Sequence, residues 1–198
     1  FDGAGYKISD LILYSPVSDN ISLFGYISGE IKNVNLRNCL INGNANIASL
    51  AIENNGQIKN CSADTHITAS TGAGLVMINK GVISESVFSG YVQGGNSASA
   101  FVYENNNRIE NCYASGTVTG AKVGGISYIN TSIIDSCCSF AMLSANKSGL
   151  LAYDNRGEIT KSYYLNGLSA VNSTIRNIEA YPRTKIHAQH KSSFELLD

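Results

Sequence analysis

Three carboxylates and two sets of tyrosines have the types and spacings that could do chemistry. Glu53, Glu104 and Asp154 recur at intervals of 51 and 50 residues. A pair of such acids in a groove is what glycoside hydrolysis needs, one as proton donor and one as base or nucleophile. Tyr103, Tyr128 and Tyr153 recur at intervals of 25. Tyrosine offers a flat apolar face and a polar tip, which suits a glycan-binding or protein-binding strip. A second tyrosine set is Tyr91, Tyr113 and Tyr163. His66 stands alone, and His187 and His190 have no third ligand at metal spacing, so a solvated face is the reading for them. The five cysteines, Cys39, Cys61, Cys112, Cys137 and Cys138, form no CxxC pair and have no nearby histidine at metal-ligand spacing. That argues against zinc, and an odd number argues against a complete disulfide framework. HExxH, GxSxG and P-loop patterns are absent, and no cofactor is expected.

These spacings are those of a repeat, which determines what positions every candidate. Ile31, Ile58, Ile83, Ile109, Ile134 and Ile159 follow one another at 27, 25, 26, 25 and 25 residues. Eight before each stands Leu23, Leu50, Leu75, Phe101, Ile126 or Leu151. Four before come Ile27, then Asn54, Asn79, Asn105, Asn130 and Asn155. Two before come Gly29, Gly56, Gly81, Asn107, Ser132 and Gly157, types that tolerate left-handed backbone angles. Three after come Val34, Cys61, Ser86, Cys112, Cys137 and Ser162. Nine after, from the second copy on, come Ile67, Val92, Val118, Leu143 and Leu168.

Within a unit, apolar and polar residues alternate over short runs separated by Asn and Gly, which reads as strand and turn. A unit of about 25 residues cannot bury its own apolar face and must stack on neighbours. The predicted fold is therefore all-β: a right-handed parallel β-solenoid (β-helix) of six to seven coils with three short strands per coil. The right hand follows from the preference of parallel crossovers. The repeat domain spans 1–168 with an opening coil over 1–21, and 169–198 forms a capping segment. Thr184 would cap a short helix over 184–192.

Stacking turns columns into ladders. The Leu-type, reference Ile and Ile67-type columns point inward. The Asn column sits at a bend with carboxamides bonded along the axis. The Cys61, Cys112 and Cys137 column fits a narrow interior corner as buried thiols, while Cys138 points the other way as an accessible thiol. Glu53, Glu104 and Asp154 fall on every second coil, roughly 9–10 Å apart, and coils of near-constant length leave no room for a cleft. Alternation places Tyr103, Tyr128 and Tyr153 inward, with an exposed strip as the alternative. Tyr91, Tyr113 and Tyr163, with Glu104, remain the candidate binding residues on the outer side.

Charged residues make up 15% of the chain and the formal net charge is −1, so no basic patch exists to neutralise a nucleic acid backbone. No apolar run is long enough to span a bilayer. The abrupt start at Phe1-Asp2-Gly3 reads as a segment of a larger protein, with export or anchoring signals expected elsewhere and adjoining domains as partners.

Gly74-Leu75-Val76…Asn79-Lys80-Gly81-Val82-Ile83 resembles the GLUG-type repeats of bacterial secreted and surface proteins. So does Asn105…Ile109-Glu110-Asn111-Cys112-Tyr113-Ala114-Ser115-Gly116-Thr117-Val118. Gly124-Gly125-Ile126…Asn130 is a partial match. The opening Phe1-Asp2-Gly3…Leu11 and the closing Ser192-Ser193-Phe194 are similar to the segments that flank such arrays. The chain departs from the pattern where Tyr103, Tyr128 and Tyr153 replace a small residue. The resemblance implies a non-catalytic scaffold or adhesive module at the cell surface or outside the cell, facing a host or surface protein or glycan. Such repeats also accompany adhesins and the non-catalytic regions of immunoglobulin A peptidases. A carbohydrate-active β-helix enzyme is the competing class, and an accessory domain of a secreted peptidase is a further alternative.

Overall fold

The computed structural model describes residues 1–165 and 178–183. Among these there is no helix, and the strands pair in parallel into a solenoid of about six turns. Each coil begins with a short arm, such as Ala51–Asn54, Val76–Asn79, Val102–Asn105, Ser127–Asn130 and Ala152–Asn155. A three-residue middle strand follows, for example Ile133–Asp135. The coil closes with a long arm: Asn35–Gly43, Ser62–Ala73, Val87–Ser99 and Tyr113–Gly124. So the three strands are not all short. The long arm runs to 12 or 13 residues in the central coils, with register irregularities that carry it round a corner.

Ile58, Ile83, Ile109, Ile134 and Ile159 are fully buried, as are Leu75, Phe101 and Ile126. The third ladder, Ile67, Val92 and Val118, extends further than the repeat count suggested: Ile67 pairs with Ile41, which pairs with Leu13. A fourth interior column was not evident in the sequence. It runs Leu36, Ala63, Phe88, Ala114 and Ser139, with the large Phe88 ring set between two alanines. Alternating large and small residues between facing layers keeps a core dense without strain.

At the bend between short arm and middle strand the five asparagines are buried. Asn54 donates to Asn79 at 2.8 Å, Asn79 to Asn105 at 2.9 Å, Asn105 to Asn130 at 2.8 Å and Asn130 to Asn155 at 2.7 Å. The same amides reach turn carbonyls, as Asn105 does to Asn107 and Ile133. Carboxamides suit the position because each has donors and an acceptor to pass on. In the first coil Ile27 takes the place, and the ladder ends there.

The left-handed residue lies elsewhere than expected. Gly29, Gly56, Gly81 and Gly157 do not have positive φ. The left-handed position is two after each reference Ile, at Asn33, Asn60, Glu85, Asn111, Ser136 and Lys161, with φ between 46° and 55°. At Gly56 and Gly81 the constraint is proximity instead, since a Cβ would lie 2.0 Å from the carbonyl oxygen of the coil below. Asparagine tolerates the left-handed region through local hydrogen bonding, whereas glutamate does not. Asn60 also donates to Asn33 at 2.7 Å, beginning a surface ladder that Glu85 interrupts. Glu85→Asn therefore raises the unfolding free energy by about 0.5–1 kcal/mol after loss of the exposed Lys59 pair. Urea titration checks this, and a lowered midpoint would sink it.

The opening segment enters partway round a coil. Ile8 pairs with Leu36 and Leu13 with Ile41, so both strands extend the long-arm face. At the other end Ile178–Arg183 pairs in parallel with Glu158–Leu165. Leu168 of the repeat domain and the rest of the capping segment, including the helix expected over 184–192, His187 and His190, lie outside the described residues.

Candidate functional site

The short arm carries the carboxylates. Its register runs Tyr26, Glu53, Ile78, Glu104, Ile129, Asp154, so an isoleucine stands between each acid and the next. Each acid is held within its own turn. Asn55 donates to Glu53 at 2.7 Å, Asn106 to Glu104 at 2.8 Å, and the Arg156 Nε to Asp154 at 2.9 Å. Lys80 adds a bond to Glu53 at 2.9 Å. Hydrogen bonds from Lys80 and Asn55 hold the Glu53 carboxyl below its ordinary range. That is the wrong direction for a proton donor, whose pKa must be raised.

Tyr103, Tyr128 and Tyr153 do not point into the main core, contrary to the parity argument. They lie half-buried on its outer side and stack on one another, with ring centroids 4.7 and 4.9 Å apart and planes 16° and 2° from parallel. The reason is a corner at the start of the short arm. Phe101 and Val102 both face the core, so alternation is reset before Tyr103. The column continues below as Met77 and Ile52, packed with Ala48 and Ala73 into a small separate apolar cluster. The tyrosines thus line a crease between the short arm and the end of the long arm, and the Tyr103 hydroxyl meets Ser97 Oγ at 3.1 Å. Burial, with Tyr103, Tyr153 and Asp154 nearby, pushes the Tyr128 phenol up to about 12.

The second tyrosine set does not form one site. Tyr113 and Tyr163 share a column with Cys138 between them, while Tyr91 stands four residues further along the strand. All three are half-buried rather than exposed. Tyr113 packs edge-on to Phe140 at 5.5 Å, and burial raises its phenol. His66 is not alone: its ring lies 4.6 Å from that of Tyr91. Register extends this pair into a stripe of Ile12, Leu40, His66, Tyr91, Thr117 and Met142. Ile12, Leu40 and Met142 are 66%, 40% and 56% exposed along it. Glu104 lies on the short arm, a different face, so the four binding candidates are not brought together.

The five cysteines are reduced. Cys61, Cys112 and Cys137 fill the interior corner and donate to carbonyls two residues back at 3.2–3.3 Å. Ser86 and Ser162 do the same at 2.8 Å. Cys39 is buried one arm further on, opposite Thr65. Burial pushes the Cys61 thiol up to about 11 and raises that of Cys137. Cys138 is partly exposed on the outer side. Since thiolate is the reacting form, Ellman's reagent at pH 8 will titrate about one thiol in the native protein. In denaturant it will titrate all five. Rapid native reaction of three or more would contradict this placement.

Fold and surface together define a parallel β-solenoid whose repeated polar and sulfur-bearing residues are interior scaffold and whose outer faces carry tyrosines. No family profile and no curated protein matches the chain. Among solved structures it is similar to a provisionally assigned immunoglobulin A1 protease from Bacteroides ovatus. The TM-score is 0.72 at 17% sequence identity, over 92% of this chain and 66% of the other. At that identity the likeness is one of fold, and the chain spans about two thirds of the length of its neighbour.

Proposed function

We propose that the chain is a non-catalytic solenoid module of an exported bacterial protein, presenting a lateral face for binding or holding a neighbouring domain at a distance. The observation that carries this reading is the carboxylate column, in which Ile78 and Ile129 separate the acids and each acid is tied to its own turn. Catalysis by acid and base would need two of them converging on one bond. The GLUG-type resemblance fits an adhesin or a peptidase region alike, and the solenoid shared with the Bacteroides ovatus protein favours an accessory region of a secreted peptidase as the particular form.

The test is incubation of the chain with immunoglobulin A1 and with a glycan panel, products being read by mass spectrometry. No cleavage is expected. Turnover that disappears in Glu104→Ala would overturn the reading in favour of a carbohydrate-active enzyme.

A further inference from the structure

The tyrosine crease has a second wall. The long-arm register that meets it runs Thr71, Ser97, Lys122, Lys147. Ser97 bonds the Tyr103 hydroxyl, so Lys122 and Lys147 occupy the equivalent places beside Tyr128 and Tyr153, one and two coils on. Both lysines are exposed, and among the described residues neither joins an ion pair. Like charges directly opposite on adjacent strands are destabilising. Nothing in the interior requires a lysine there, since Thr71 and Ser97 fill the same position with a hydroxyl. Asp154, the acid that acts electrostatically on Tyr128, is taken up by Arg156.

We propose that this crease binds an acidic polysaccharide laid along the solenoid axis, its carboxylate or sulfate groups held by Lys122 and Lys147 and bonded by the Tyr128 and Tyr153 hydroxyls. The stack decides how a sugar can sit. Ring faces 4.7–4.9 Å apart cover one another, so a glycan meets hydroxyls and ring edges rather than stacking on faces. Tyr128 stays protonated, and so a donor, throughout the physiological range. A nucleic acid would need many more cations than two. A peptide adding as a strand would need an open sheet edge, and the strands that carry Lys122 and Tyr128 are paired on both sides.

The proposal deepens the binding-module reading and rests on it. The whole chain is titrated by calorimetry at low salt with heparin, polygalacturonate, dextran and polyglutamate. Heparin or polygalacturonate binds, with affinity falling as salt rises, while dextran and polyglutamate do not. Lys122→Ser with Lys147→Ser, which copies the Ser97 coil, weakens binding tenfold or more with unchanged circular dichroism and a melting temperature that does not fall. Tyr128→Phe keeps the stack and weakens binding about three- to tenfold. The proposal is overturned if neither acidic glycan binds, if the double variant binds equally, or if polyglutamate or dextran competes on equal terms. Such a failure leaves a spacer module standing, because that reading falls only to observed cleavage.

Discussion

Asn105→Ala lowers the unfolding free energy by about 3–4 kcal/mol, and the melting temperature by about 10 °C for a chain of this size. The Asn105 amide accepts from Asn79 and donates to Asn130 and to the carbonyls of Asn107 and Ile133. The two amide hydrogens are shared among three acceptors, so about three full bonds are lost at about 1 kcal/mol each, and the buried partners left behind add to the cost. The neighbours soften the loss: Asn79 still reaches the Arg108 carbonyl at 3.2 Å, and Asn130 Oδ1 still accepts from the Ser132 amide at 3.3 Å. At the ladder's end the cost is smaller. Asn54 donates to Asn79 but has Ile27 below it, so Asn54→Ala breaks no bond to a coil beneath. Thermal melts of the two variants check the ranking. An Asn54 variant less stable than the Asn105 variant would contradict the ladder account.

Phe101→Ala costs about 3–5 kcal/mol, through lost transfer energy and the cavity left behind. Phe101 is fully buried in the Leu-type column, between Leu75 and Ile126 in the adjoining coils, and its carbonyl accepts from the Leu75 amide at 2.8 Å. The backbone is therefore held by its partners and cannot collapse into the space. Phe101→Leu introduces the residue type that Leu75 has in the adjoining coil and costs less than about 1.5 kcal/mol. Denaturant titration of both variants measures the difference. Equal losses would mean that the ring is not a packed element of the core.

The fold was legible because its columns repeat a residue type. An Asn at one phase of five successive coils admits few interpretations, and neither do six isoleucines at the reference phase. What repeats a volume rather than a type was not legible. The column of Leu36, Ala63, Phe88 and Ala114 looks random until stacking sets Phe88 between alanines. Local geometry escaped for a related reason. The left-handed position is filled by Asn in three coils but by Glu85, Ser136 and Lys161 in others, so its pattern is diluted below notice. Strand parity does not locate Tyr103 and its neighbours, because it is reset at a corner where Phe101 and Val102 both turn inward. Lys122 and Lys147 do not stand out in the repeat because the coil before them is one residue longer. Counting from the reference Ile aligns them with Asn96, whereas the true partner is Ser97.

The central claim is that interchangeable coils, and not a unique site, determine this molecule. The most direct test removes one coil. Deleting residues 105–129 joins Glu104 to Asn130, which stands in register with Asn105, so Asn79 can donate to Asn130 and every ladder closes. The account predicts a folded protein with a parallel β circular dichroism spectrum, one cooperative melt, and a body shorter by one strand spacing of roughly 4.8 Å in small-angle scattering. Deleting only residues 105–117 should abolish folding, because the interior columns then meet out of phase. If the whole-coil deletion unfolds as completely as the half-coil deletion, the coils are not equivalent and the account is wrong.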